Sequence, residues 1–96
     1  MLLKETILGN TNVAHYNSSN ILKSIFDTSN NNLKLYFKSG LIYEYSNVNP
    51  ADYVRFKTNE SQGKIFHKLI KTKPNKMIGN YQLKEVISEI KDILYG

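Results

Sequence analysis

Five lysines, Lys64, Lys68, Lys71, Lys73 and Lys76, fall within thirteen residues that contain no acid. Ammonium groups set a few residues apart are what a phosphate backbone needs. On a helix, Lys64, Lys68 and Lys71 stand three and four residues apart and share one face. Lys73 and Lys76 extend that stripe. Arg55, the single arginine, and His67 add to it. Tyr43 and Tyr45 supply flat rings on which a base can stack. These nine residues are the candidate binding set, and the expected ligand is RNA or another polyanion, with a nucleotide as the small-molecule version. Lysine makes up all but one of the 13 cations. Bidentate reading of bases favours arginine, so phosphate attraction with weak sequence preference is expected. Two bland readings stand beside this one. A lysine run is often only a solvated helix face. Tyr43 and Tyr45 also share a strand face with Leu41, where tyrosines more often pack than bind.

Catalytic chemistry has little to work with. His15 and His67 are the only histidines and lie far apart in the chain. No metal-binding histidine spacing and no phosphate-cradling glycine pattern occurs. There are no cysteines, which excludes a thiol nucleophile, a disulfide framework and a cysteine–zinc site. Ser18 and Ser19 have no local base. Glu85, Glu89 and Asp92 recur along one side of a helical pattern and read as its solvated face. No catalytic residue, metal or cofactor is expected.

The 96 residues allow one domain, with 41% hydrophobic and 22% charged residues in ordinary globular proportion. The net charge of +5 is uneven. Residues 1–50 carry four cations and three acids, whereas residues 51–96 carry nine and five. No apolar run approaches the ~18 residues of a membrane span, and MLLKETILGN has no long apolar stretch of a signal peptide. A cytoplasmic protein is expected, in the host cytoplasm if a phage encodes it.

The elements that must position the lysines follow from periodicity. Residues 20–27 read as a strand, with Leu22, Ser24 and Phe26 on one face and Ile21, Lys23 and Ile25 on the other. Leu33–Lys38 alternates with period two. Ser39-Gly40 is a tight-turn signal, and Leu41–Ser46 alternates again. Asn49 and Pro50 start a helix running to about Lys57. Ser61 caps a second, from Gln62 to Lys71, with Ile65, Phe66, Leu69 and Ile70 as its apolar stripe. Asn80 caps a third, Tyr81–Tyr95, in which Leu83, Val86, Ile87, Ile90 and Leu94 recur at helical spacing. Its apolar strip is wide enough to cover the sheet or to join two copies into a homo-oligomer. The expected fold is α+β: a short antiparallel meander of about three strands against two or three helices, including the C-terminal amphipathic one. Leu35, Phe37, Phe66 and Ile87 are the expected core. Residues 1–16 are an arm or an extra strand.

Four blocks in this order carry a resemblance: Ser18-Ser19-Asn20-Ile21; a strand ending in Phe37-Lys38-Ser39-Gly40; Tyr43-Glu44-Tyr45; and Gly63-Lys64-x-Phe66. Over residues 17–73 the chain resembles the KTSC domain, a small family named for the C-terminus of certain lysyl-tRNA synthetases and also free-standing in bacteria and phages. His67 and Leu69 stand where that family commonly carries asparagine. The synthetase context implies RNA binding and no established catalytic activity. An alternative comes from composition. A small, cysteine-free chain in which Lys, Asn and Ile, all with AT-rich codons, make up 34 residues also suits a phage or mobile-element protein. Such a protein sequesters a nucleotide signal or inhibits a host protein.

Overall fold

A computed structural model describes all 96 residues. The chain forms β1 (Leu2–Leu8), β2 (Thr11–Tyr16), β3 (Ile21–Asp27), β4 (Asn32–Phe37), β5 (Leu41–Tyr45), α1 (Pro50–Thr58), α2 (Gln62–Ile65), a π-helical turn (Phe66–Ile70), β6 (Asn75–Asn80) and α3 (Leu83–Tyr95). All six strands make one antiparallel sheet in sequence order. The α+β class is as expected, but the meander has six strands rather than about three. Residues 1–16 form a whole hairpin, β1–β2, turning at Gly9 with φ +60°. Residues 75–80 add a strand that the sequence reading passed over.

Register assigns the sheet two faces. Phe26 pairs with Leu33, Ser24 with Leu35, and Ala14 with Ser24, so these residues share one face. That face carries the main core: Ala14, Tyr16, Phe26, Leu33, Leu35 and Tyr45 pack with Val48, Tyr53, Phe56, Phe66 and Ile70 from the helical side. The expected two-face reading of β3 needs one correction. A bulge between Ile21 and Lys23 puts Ile21 opposite Phe37, in the core with Phe26. Leu22 is thereby sent to the opposite face, toward α3.

The first two helices begin where their caps predict. The Asn49 side chain accepts the Asp52 N–H at 2.8 Å, and Pro50 opens α1. Ser61 caps α2 by accepting from Lys64 N–H. Two aromatic contacts dock α1. Tyr53 stacks on Phe26 with ring centroids 4.3 Å apart, and Phe56 meets Tyr16 edge-on at 5.5 Å. The buried polar groups beneath them are satisfied: Tyr53 OH donates to Asn12 Oδ1 at 2.6 Å, and Tyr16 OH lies 2.7 Å from Ser24 Oγ. Gln62 is fully buried. Its Nε2 donates to Asn59 O at 2.7 Å and reaches Phe56 O, and its Oε1 accepts from the Met1 ammonium. This amide ties the turn between the helices to the end of α1 and to β1.

α2 runs on into the π-helical turn, where Lys71 N–H bonds Phe66 O, an i→i+5 pattern. Lys73 and Pro74 end the segment, and β6 then pairs with β5. The third helix starts at Leu83, not Tyr81, and Asn80 belongs to β6 rather than capping it. α3 crosses the sheet face opposite α1, contacting β1 and β3. No helix is long and apolar enough to cross a membrane. Leu35 and Phe66 are buried as expected, while Phe37 and Ile87 are half-buried. Phe26→Ala or Phe56→Ala should therefore cost on the order of 3–5 kcal/mol, and Phe37→Ala should cost less. Urea denaturation of the three variants checks this ranking.

Candidate polyanion-binding face

Burial decides which way the helical cations point. α1 buries Tyr53 and Phe56, and α2 with its π-turn buries Gln62, Phe66 and Ile70. The charged side chains between Phe66 and Ile70, and those beside Tyr53 and Gln62 that lack an inward partner, are left facing water. Arg55, Lys64, His67, Lys68 and Lys71 are all exposed. α1 packs against α2 and the π-turn, so all five belong to one helical layer. None of Arg55, Lys64, Lys68 and Lys71 forms an ion pair. The π-turn takes more residues per revolution than an α-helix, so Lys71 sits further around the axis from Lys68 than ideal α spacing would put it. The stripe is thus broader than the three-and-four spacing predicts.

The other two stripe lysines do not extend it. Lys73 Nζ lies 3.7 Å from Asp52 Oδ2 at the start of α1, and it is only partly exposed. Lys76 is on β6, where it pairs across the ladder with Glu44, 3.8 Å between charged atoms. Glu44 is in register with Lys34, on the sheet face away from α1. Lys76 and the helical lysines therefore lie on opposite sides of the sheet.

The tyrosines divide as well. Tyr45 is 4% exposed and meets Phe66 edge-on at 5.6 Å. Burial, with Tyr43 beside it, pushes the Tyr45 hydroxyl up to about 12. It is a core residue and is not free to stack on a ligand. Tyr43 is half-buried, edge-on to Phe37 at 5.7 Å, and keeps part of its ring at the surface. Tyr36 is taken up by Tyr81 at 5.1 Å and by Lys23, whose ammonium sits 5.3 Å from its ring centroid. His67 lies against the Phe66 ring.

Comparison with known proteins places the chain in a family. The KTSC domain family matches residues 17–73, which span β3 to the end of the α2 segment. This chain is a KTSC domain protein. It is similar to a KTSC domain protein from Yersinia pestis, known from a crystal structure, with a TM-score of 0.68 and 27% identity. The match covers 72% of this chain and 99% of that one. Comparison with curated proteins gives no match. The KTSC segment supplies β3–β5 and both helices of the cationic face. β1, β2, β6 and α3 lie outside the matched residues.

Two of those outer elements, β2 and α3, form with β3 a cluster that the sequence reading missed. Glu89, expected on the solvated side of α3, faces the sheet. Its Oε1 lies 2.7 Å from His15 Nε2 and 3.3 Å from Lys23 Nζ. The three residues come from β2, β3 and α3, so no local motif could join them. Burial pushes the Glu89 carboxyl up, but the hydrogen bonds and charges of His15 and Lys23 together outweigh it and hold the group below its ordinary 4.5. A depressed carboxyl stabilises the fold above its unfolded pKa, and that contribution is lost as pH falls through the folded value. Glu89→Gln should therefore lower stability near neutral pH by about 1 kcal/mol or less, because the pair is partly solvated. The gap between parent and variant should close as pH drops below 4.5. Thermal melts across that range check the sign.

Proposed function

We propose that this protein is a non-catalytic binding protein of the cytoplasm that holds single-stranded RNA, or a similar polyanion, on the outward face of α1 and α2. One observation supports the reading above the others: Arg55, Lys64, Lys68 and Lys71 are exposed on adjoining helices and carry no ion-pair partner. An unpaired surface cation keeps its full attraction for phosphate. A cation already held by a carboxylate must first give that contact up. The reading thus narrows the nine candidates. Arg55, Lys64, Lys68 and Lys71 meet phosphates, the exposed His67 and half-buried Tyr43 keep rings available to a base, and Lys73, Lys76 and Tyr45 serve the fold.

Fluorescence anisotropy with a short single-stranded RNA, at low and physiological salt, tests this. Each lysine that meets a phosphate adds about 0.7 to the salt slope on single strands. Replacing Lys64, Lys68 and Lys71 by glutamine together should weaken binding to all sequences alike and reduce the slope by about two. Lys73→Gln and Lys76→Gln should leave the slope nearly unchanged. A triple variant that binds as tightly as the parent, with the same slope, refutes the reading. Binding to a mononucleotide panel with shallow salt dependence would replace the strand by a nucleotide, and binding to neither would favour a protein partner.

A further inference from the structure

α3 is docked only in part. Val86 is its one buried residue, Ile87 and Ile90 are half-buried, and Leu94 and Tyr95 remain 46% and 83% exposed. Two clefts flank it. The one holding His15 and Glu89 is the larger, at 320 Å³, but its charges are mixed and Glu89 is already taken by His15 and Lys23. The other is different. It measures 270 Å³ and runs between the C-terminal half of α3 and the β3 bulge, walled by Leu22, Ile87, Ile90 and Leu94. Lys38 and Lys91 also line it, and no carboxylate does. Neither lysine forms an ion pair anywhere in the protein. Ser18 lines the cleft too. Its Oγ accepts from the Asn20 and Ile21 N–H groups at 3.2 and 3.3 Å, while its own proton has no acceptor in the protein.

An apolar pocket with two unpaired ammonium groups and a free hydroxyl proton is matched to one kind of occupant. We propose that this cleft binds a small amphipathic anion: an aliphatic carboxylate whose chain lies on Leu22, Ile87, Ile90 and Leu94 and whose head is held by Lys38, Lys91 and Ser18. The volume is near the lower end of small-molecule pockets, which suits a medium-length chain. A second copy of the protein suits the cleft less well. A two-fold contact centred here sets Lys38 and Lys91 of each copy against those of the other, with no acid between them. The site lies across the sheet from the cationic helices and is independent of what they bind.

The test uses decanoate, with decanol and decyltrimethylammonium as neutral and cationic counterparts of the same chain. Titration of the whole protein below micellar concentrations, followed by amide NMR, should show saturable one-to-one binding of decanoate. Shifts should centre on Leu22, Ile87, Ile90 and Leu94. Decanol should bind about tenfold more weakly or worse, since it forfeits the charge-assisted contacts, and decyltrimethylammonium should not bind. A Lys38→Gln, Lys91→Gln double variant alters two exposed side chains and should fold normally by circular dichroism. It should lose about tenfold in decanoate affinity while keeping its affinity for decanol. Absence of saturable binding, equal affinity for the three ligands, shifts centred on Lys64, Lys68 and Lys71, or an unchanged double variant would each overturn the proposal.

Discussion

The stacking of Tyr53 on Phe26, with Phe56 set edge-on against Tyr16, is the contact on which the helical layer depends. It fixes α1 on the sheet through the largest side chains available. Tyr53 also carries its hydroxyl to Asn12, so the packing comes with a directional bond that a shifted helix would break. Once α1 is seated, Gln62 clips the following turn to it, and Phe66 and Ile70 can reach the core. Each apolar residue drawn inward obliges its polar neighbours to face out. The cationic surface is thus a consequence of burial. Arg55, Lys64, Lys68 and Lys71 are outward because Tyr53, Phe56, Phe66 and Ile70 are inward.

A six-stranded sheet has two faces, and one helical layer covers only one of them. The β3 bulge answers this by giving the strand apolar residues on both sides, Ile21 toward α1 and α2, Leu22 toward α3. β3 lies in the KTSC segment, whereas α3 lies outside it. The second layer is lightly built. It rests on one buried side chain, several half-buried ones and the ionic contacts of Glu89. Partly solvated ion pairs contribute little each, so the hold on α3 is weaker than the hold on α1. That incomplete closure leaves the apolar cleft open beside Lys38 and Lys91.

Ion pairing sorts the cations into two groups. Lys57 reaches Glu5 at 2.7 Å, joining α1 to β1, and Lys73 reaches Asp52. Lys23 holds α3 through Glu89, and Lys76 sits across the β5–β6 ladder from Glu44. Each of these lysines ties an element to its neighbour. Of the nine cations without partners, Arg55, Lys64, Lys68 and Lys71 stand on the helical layer, Lys38 and Lys91 line the α3 cleft, and Lys4, Lys34 and Lys84 lie apart from both. Net charge alone does not separate these groups, since it counts a paired and an unpaired lysine alike.

Much of the central fold is legible in the residues themselves. The period-two run of Leu33, Leu35 and Phe37, the Gly40 turn, the Asn49–Pro50 start of α1, the Ser61 cap and the helical spacing along α3 are local signals. Each rests on interactions within a few residues, so a single chain segment contains them. The KTSC resemblance is likewise written in short blocks and covers the part of the chain that those signals describe best. What tertiary structure decided is long-range. β6, NKMIGN, shows no alternation because it is an edge strand with little to bury; it is a strand because β5 offers it an unpaired backbone ladder. β1 is another edge, exposed along most of its length, and its pairing with β2 defines it. The bulge that sends Leu22 away from Ile21 is a matter of register between strands, which neither strand encodes alone. Glu89 belongs to His15 and Lys23 only after three elements are brought together across more than 60 residues of chain. Residue type and spacing specify what a segment prefers to bury, but the partner of a charge or an open strand edge is chosen by the fold.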